Sequence, residues 1–204
     1  MKTGILGGTF DPIHKGHLAV AEEVRSRLHL DEVLFIPVGN PWRKAGSPIL
    51  PAGHRVEMVR LAIADRPSFR LSTIEVNREG PSYTVDTLEE LQSAYGNGDE
   101  ILFIVGWDSL TDLLNWRAPE RIIRLCQLVA VPRPGYFPPD LQSLEAGIPG
   151  ISERVLLLDG PEVDVSASQI REMVARGLPI SGLVPEAVEQ YIREHGLYLA
   201  GGDE

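Results

Sequence analysis

The residues best suited to chemistry lie near the start of the chain, in Gly7-Gly8-Thr9-Phe10-Asp11-Pro12-Ile13-His14-Lys15-Gly16-His17. Two adjacent glycines let backbone N–H groups come close to a phosphate, and a helix start adds a partial positive charge there. His14 and His17 would sit at that helix start, aimed at the same anion. Lys15, between them, is expected to point to solvent.

The surrounding elements must position these groups. Residues 3–6 form a short apolar run that reads as a buried strand, and Leu18, Ala21, Val24 and Leu28 repeat with a helical period. The glycines and histidines therefore fall between a first strand and a first helix, the junction at which open parallel sheets bind ligands. The alternation continues along the chain. Residues 33–36, 69–76, 101–105, 128–131 and 155–158 read as further strands. Helical stripes run through Val56, Val59, Ala62 and Ile63, through Val85, Leu88 and Leu91, through Ile170, Met173 and Val174, and through Val188, Tyr191 and Ile192. Such alternation predicts an α/β fold with a mainly parallel sheet and right-handed crossovers. Two proline- and glycine-rich stretches, 39–53 (with Trp42, Arg43 and Lys44) and 133–150, read as long loops, which in a compact domain are often functional.

Composition narrows the partners. With 43% hydrophobic and 24% charged residues, the 204-residue chain reads as one ordinary globular domain, 1–204. A net charge of −10 argues against nucleic acid or an anionic membrane as the main partner. It leaves room for a nucleotide, because His14, His17, Lys44 and Arg171 can supply a local cluster of donors. The single cysteine, Cys126, permits no intrachain disulfide and is expected to be a buried strand residue. No Cys/His cluster has zinc spacing, and no dedicated metal site is expected. The apolar runs are too short to span a bilayer, so a cytoplasmic location is expected.

The eleven-residue motif resembles the signature of nucleotidyltransferases that carry His-x-Gly-His, and most of all that of the bacterial nicotinate-nucleotide adenylyltransferases. The likeness extends through Ser82-Tyr83-Thr84-Val85-Asp86-Thr87-Leu88, Phe103-Ile104-Val105-Gly106-Trp107-Asp108-Ser109-Leu110, Trp116 and Ser166-Ala167-Ser168-Gln169-Ile170-Arg171. It closes with Val184-Pro185-Glu186-Ala187-Val188-Glu189-Gln190-Tyr191-Ile192 and Leu197-Tyr198. The resemblance implies a Rossmann-like, doubly wound sheet with helices on both faces, and late helices (168–196) that complete the ATP site. The reaction it implies is transfer of AMP from ATP, with Mg2+, to nicotinate mononucleotide, giving deamido-NAD and pyrophosphate.

On that resemblance, His17, His14, Lys44 and Arg171 are the expected catalytic groups. ATP would be held by Gly7, Gly8, Thr9, Phe10, His14, His17, Gly106, Asp108, Ser168 and Arg171. Nicotinate mononucleotide would be held by Tyr83, Thr84, Val85, Trp116, Arg117 and Lys44. Trp116 would stack on the pyridine ring. The N–H groups at the helix start near Tyr83 could receive the nicotinate carboxylate. Ser168 reads as the N-cap of the late helix. Three positions depart from the family pattern: Arg43 replaces a histidine common there, Ala167 removes one hydroxyl, and Trp107 replaces a small residue. Alternatives are the same chemistry on nicotinamide mononucleotide or phosphopantetheine, a nucleotide-binding regulator without turnover, and a covalent histidine intermediate. A homo-oligomer is compatible with the sequence.

Overall fold

The computed structural model describes residues 1–41, 49–96, 98–160 and 164–199. The apolar runs become strands β1 (Lys2–Gly8), β2 (Glu32–Pro37), β3 (Phe69–Leu71), β4 (Glu100–Gly106), β5 (Gln127–Val131) and β6 (Val155–Leu157). Among the described residues these form one sheet in the order β3-β2-β1-β4-β5-β6, parallel throughout. Each parallel step needs a crossover. Helix α1 (Lys15–Leu28) joins β1 to β2, α2 (Ala52–Ala62) joins β2 to β3, and α3 (Thr84–Ala94) joins β3 to β4. Helices α4 (Trp107–Thr111) and α5 (Pro119–Leu125) lie between β4 and β5, and α6 (Leu141–Gly147) lies between β5 and β6. Helices α7 (Ala167–Ala175) and α8 (Glu186–Glu194) follow the sheet.

Side chains of successive strand residues point to opposite faces, and both faces are covered. On one face Leu6, Val33, Phe35, Leu102, Ile104 and Val129 pack with Leu18, Ala21 and Val24 of α1, Met58 and Val59 of α2, Ile170 of α7 and Val188 and Ile192 of α8. On the other, Ile5, Leu34, Ile36, Phe103, Val105 and Leu128 pack with Val85, Leu88 and Leu91 of α3, Leu110 of α4 and Ile122 of α5. Double burial explains why these strands read as unbroken apolar runs. It also yields the doubly wound Rossmann-like order expected from the resemblance. Phe35 is fully buried between the rings of Phe10 and Phe69, so its truncation to alanine should cost about 3–5 kcal/mol.

Three local expectations differ from the structure. The third strand stops at Leu71 instead of reaching residue 76, because the chain leaves the sheet after Ser72 N–H donates to the Phe35 carbonyl and turns around Ile74. The stretch 133–150 is not loop throughout: Asp140 caps α6, its carboxylate accepting from the N–H groups of Gln142 and Ser143. Cys126 is buried, but it ends α5 instead of lying in β5. Burial pushes its thiol pKa up to about 12, which makes it unreactive. Among the described residues, no helix is long and apolar enough to cross a membrane.

Candidate active site

The strand order reverses between β1 and β4, so their C-terminal ends, Gly8 and Gly106, open the crevice at which such sheets bind ligands. A cleft of about 900 Å³ lies there, lined from the β1 side by Gly7, Gly8, Thr9, Phe10, His14 and His17. From the β4 side come Gly106, Asp108, Trp116 and Arg117, from the start of α3 come Tyr83 and Thr84, and from α7 comes Arg171. Thirteen of the expected site residues thus share one cavity, although they span the chain from Gly7 to Arg171.

The signature loop is tightly built. A Cβ on Gly8 would come within 3.0 Å of the Phe10 ring, tighter than ordinary contact, so glycine lets that ring fold closely back over the β1 end. Phe10 itself takes a left-handed backbone conformation (φ 50°), strained for a non-glycine residue. Its buried ring meets the His17 ring edge-on, with centroids 5.0 Å apart. His14 is the N-cap of α1 and His17 its third residue. The His14 N–H donates to His17 Nδ1 at 3.2 Å. This bond fixes the His17 tautomer, because a nitrogen that accepts holds no proton and the proton resides on Nε2. His14 is buried, and burial, helped by the Arg133 charge, lowers its pKa from 6.5 to about 4. It is therefore a neutral imidazole at pH 7, with its Nδ1 buried and unpaired among the described residues.

On the α7 side, the Arg171 guanidinium donates to the Asp11 carbonyl (2.7 Å) and to Ser168 Oγ (3.2 Å). The N-cap is Ser166, two residues before the expected Ser168. Ser166 caps α7, accepting from the Gln169 N–H at 3.2 Å, while Ser168 lies inside the first turn. Ser168 does not line the cleft and acts on Arg171 instead.

On the acceptor side, Tyr83 is the N-cap of α3 and makes no side-chain cap; its carbonyl accepts from the N–H groups of Asp86 and Thr87, so among the first-turn donors those of Thr84 and Val85 lack an intrahelical acceptor, beside the cleft that Tyr83 and Thr84 line. The Arg117 guanidinium lies 4.5 Å above the Tyr83 ring and 3.9 Å from Asp86. Trp116 is held edge-on by Phe103, with centroids 6.2 Å apart. Val85 does not line the cavity: its side chain is buried under α3, leaving only its backbone for binding. Trp107 opens α4 half-buried against the same face, so the larger residue is absorbed by packing. Lys44, with Arg43, lies outside the described residues.

Several residues of the site carried no sequence expectation. Arg133, two positions past the end of β5, lines the cleft and pairs with Asp108 at 2.7 Å. Its placement at the strand-end edge was the available signal. Ser82 accepts from the N–H groups of Gly39 (3.2 Å) and Asn40 (3.1 Å), tying the segment after β2 to the start of α3. Buried Arg55 donates to the carbonyls of Leu50 (2.9 Å), Thr9 (2.9 Å), Val38 (2.8 Å) and Gly39 (3.4 Å), fastening the ends of β1 and β2 together. An arginine on a helix otherwise facing the core was the clue to that role.

Comparison with known proteins agrees with this geometry. The Cytidylyltransferase-like family matches residues 5–173. A "Probable nicotinate-nucleotide adenylyltransferase" of Dehalococcoides mccartyi is 54% identical over 198 residues, covering 97% of both chains. The chain belongs to the nicotinate-nucleotide adenylyltransferase family. A member from Roseiflexus sp. is 50% identical over 96% of each chain. The fold matches that of the Plasmodium falciparum nicotinic acid mononucleotide adenylyltransferase complexed with NaAD, with a TM-score of 0.79 at 20% identity over 97% of both chains.

Proposed function

We propose that this chain transfers the adenylyl group of MgATP to the phosphate of nicotinate mononucleotide, releasing pyrophosphate and forming deamido-NAD. One observation carries the reading: a single cleft joins a histidine-lined phosphate loop to an uncapped helix start beside a tryptophan. The first suits an ATP triphosphate, and the second suits a pyridine nucleotide that bears a carboxylate.

The chemistry asks for positioning more than for covalent work. The acceptor phosphate has a second pKa near ~6 and is already largely ionised at pH 7. One of its oxygens attacks the α-phosphorus, the bond from that phosphorus to the bridging oxygen breaks, and pyrophosphate leaves with the electron pair. The protein has to hold two anions in line and offset the charge that builds on the leaving group. His17 would donate from Nε2 to the α-phosphate, and neutral His14 would face the bridging or outer phosphates. Backbone groups of Gly7, Gly8, Thr9 and Phe10 would follow the phosphates, and Gly106 and Asp108 the ribose. Arg171, steadied by Ser168, would close the triphosphate from α7, so that late helices 168–196 complete the ATP site of a one-domain enzyme. Lys44 would reach the phosphates from the segment after β2. Arg133 adds a cation where the two substrates meet.

For the acceptor, Trp116 would stack on the pyridine ring, flanked by Arg117. The backbone of Tyr83, Thr84 and Val85 would take the carboxylate. An amide offers those donors no charge and brings N–H groups of its own, which is the basis for preferring the acid. Mg2+ belongs to the ATP substrate. Its ligands would come mainly from phosphate and water. A cytoplasmic setting fits these substrates. The test is mass analysis of the products formed from MgATP and nicotinate mononucleotide. Equimolar deamido-NAD and pyrophosphate are expected. ADP or free AMP with no dinucleotide would overturn the proposal.

A further inference from the structure

The signature loop and the segment after α8 meet at a point that the proposed mechanism leaves unused. After α8 the backbone reverses: the Leu197 N–H donates to the Ile192 carbonyl at 3.0 Å, and Tyr198 takes a left-handed conformation (φ 64°). Leu197 is buried in the core face shared with α1, which anchors the turn. The Tyr198 hydroxyl then donates to Asp11 Oδ1 at 2.7 Å. Asp11 lies in the signature loop, is only 4% exposed, and lines the cleft. Its backbone carbonyl is the acceptor for Arg171 Nη1. The C-terminal segment therefore grips the side chain of the residue whose main chain aims Arg171.

Arg55 lies close enough for its charge to act on Asp11 and Tyr198, but four of its five N–H donors go to the carbonyls of Leu50, Thr9, Val38 and Gly39, whereas the Tyr198 hydroxyl bonds the Asp11 carboxylate directly. Burial and the neighbouring Asp11 carboxylate push the Tyr198 pKa far up, so the hydroxyl stays protonated and remains a donor at any working pH.

We propose that Tyr198 is a positioning residue for the ATP half of the site, acting through Asp11 on the orientation of Arg171. The inference rests on the reading of Arg171 as a triphosphate ligand. It predicts an effect confined to one substrate, which general loosening of the fold would not produce.

The experiment is a double-mutant cycle on the full chain with Tyr198→Phe and Arg171→Ala. It is read by calorimetric titration with MgATP or a non-hydrolysable ATP analogue and by the KM of each substrate. Tyr198→Phe is expected to weaken the analogue and raise the KM for ATP roughly three- to tenfold, the scale of one lost hydrogen bond, while the KM for nicotinate mononucleotide changes less than about twofold. In the Arg171→Ala background the same substitution should change ATP-analogue affinity by less than about twofold. Equal losses in both backgrounds, an unchanged ATP affinity, or parallel rises in both KM values would overturn the proposal. If Tyr198→Phe does not fold, Asp11→Asn/Tyr198→Phe, which leaves no buried carboxylate without a donor, must show the same weakened analogue binding, and wild-type affinity in that variant would overturn it. Binding of the analogue without turnover of nicotinate mononucleotide would refute the proposed reaction alone. No binding by the wild-type chain would refute both.

Discussion

The backbone N–H of His14 donates to Nδ1 of His17 at 3.2 Å, and the two rings stack with centroids 3.7 Å apart. The bond commits His17 to the tautomer protonated on Nε2, so a neutral imidazole can donate to a phosphate oxygen without first gaining a charge. The chain thereby obtains a fixed donor from a residue at the third position of α1. His17→Ala should leave the thermal unfolding midpoint within a few degrees of wild type and lower kcat by roughly 10²-fold or more. Steady-state kinetics check this, and near-wild-type kcat would remove His17 from the mechanism.

His14 makes a separate prediction about stability. Its folded pKa, about 4, lies below the ordinary value of 6.5 because it is buried. Above pH 6.5 both folded and unfolded states hold it neutral. Below that, the unfolded state takes up a proton that the native state refuses until about pH 4, so stability falls as pH drops through this window. The full linkage is about 3 kcal/mol. Chemical denaturation at pH 7 and pH 4.5 should show a smaller acid loss for His14→Asn than for wild type. Equal losses would mean that His14 titrates normally in the native state.

Trp116 lines the cleft and is set edge-on to Phe103, half-buried against that face of the sheet. Trp116→Ala should raise the KM for nicotinate mononucleotide roughly tenfold or more, the scale of one aromatic stack, and leave the KM for ATP nearly unchanged. Equal changes in both constants would point to collapse of the cleft instead.

Arg55 tests how the loops are held. It satisfies four carbonyls from three segments. Arg55→Met keeps the apolar stem but leaves those acceptors without donors, for an expected loss of about 3 kcal/mol or more. Urea unfolding would measure it, and a loss under about 1 kcal/mol would show that water replaces the guanidinium without cost.

The legibility of this chain in its sequence follows burial. Strands β1, β2, β4 and β5 are covered on both faces, so their side chains form continuous apolar runs that require little inference. β3 pairs only with β2, over Val33–Phe35, and Ile74 packs on the core from a turn; the same apolar signal therefore extended the strand too far. Helix α6 was invisible because it buries only Leu144 and so has no apolar stripe. Within the site, His14, His17, Trp116 and Arg171 stood out through local motifs. Arg133 and Arg55 did not, and Tyr198 stood only within the closing Leu197-Tyr198 match with no role attached, because each gains its place from a partner far along the chain: Asp108, Thr9 and Asp11, respectively. Ser168 reads as a cap in the sequence because Ser166, two residues earlier, offers the same hydroxyl, and only the backbone decides between them.

The central claim is the identity of the acceptor. The most direct measurement is kcat/KM for pyrophosphate release from MgATP with nicotinate mononucleotide, nicotinamide mononucleotide and phosphopantetheine offered separately to the purified chain. The account predicts a clear preference for nicotinate mononucleotide over both of the others. Equal or higher efficiency with the amide or with phosphopantetheine would contradict the assignment of the Tyr83 helix start and Trp116 to the nicotinate ring.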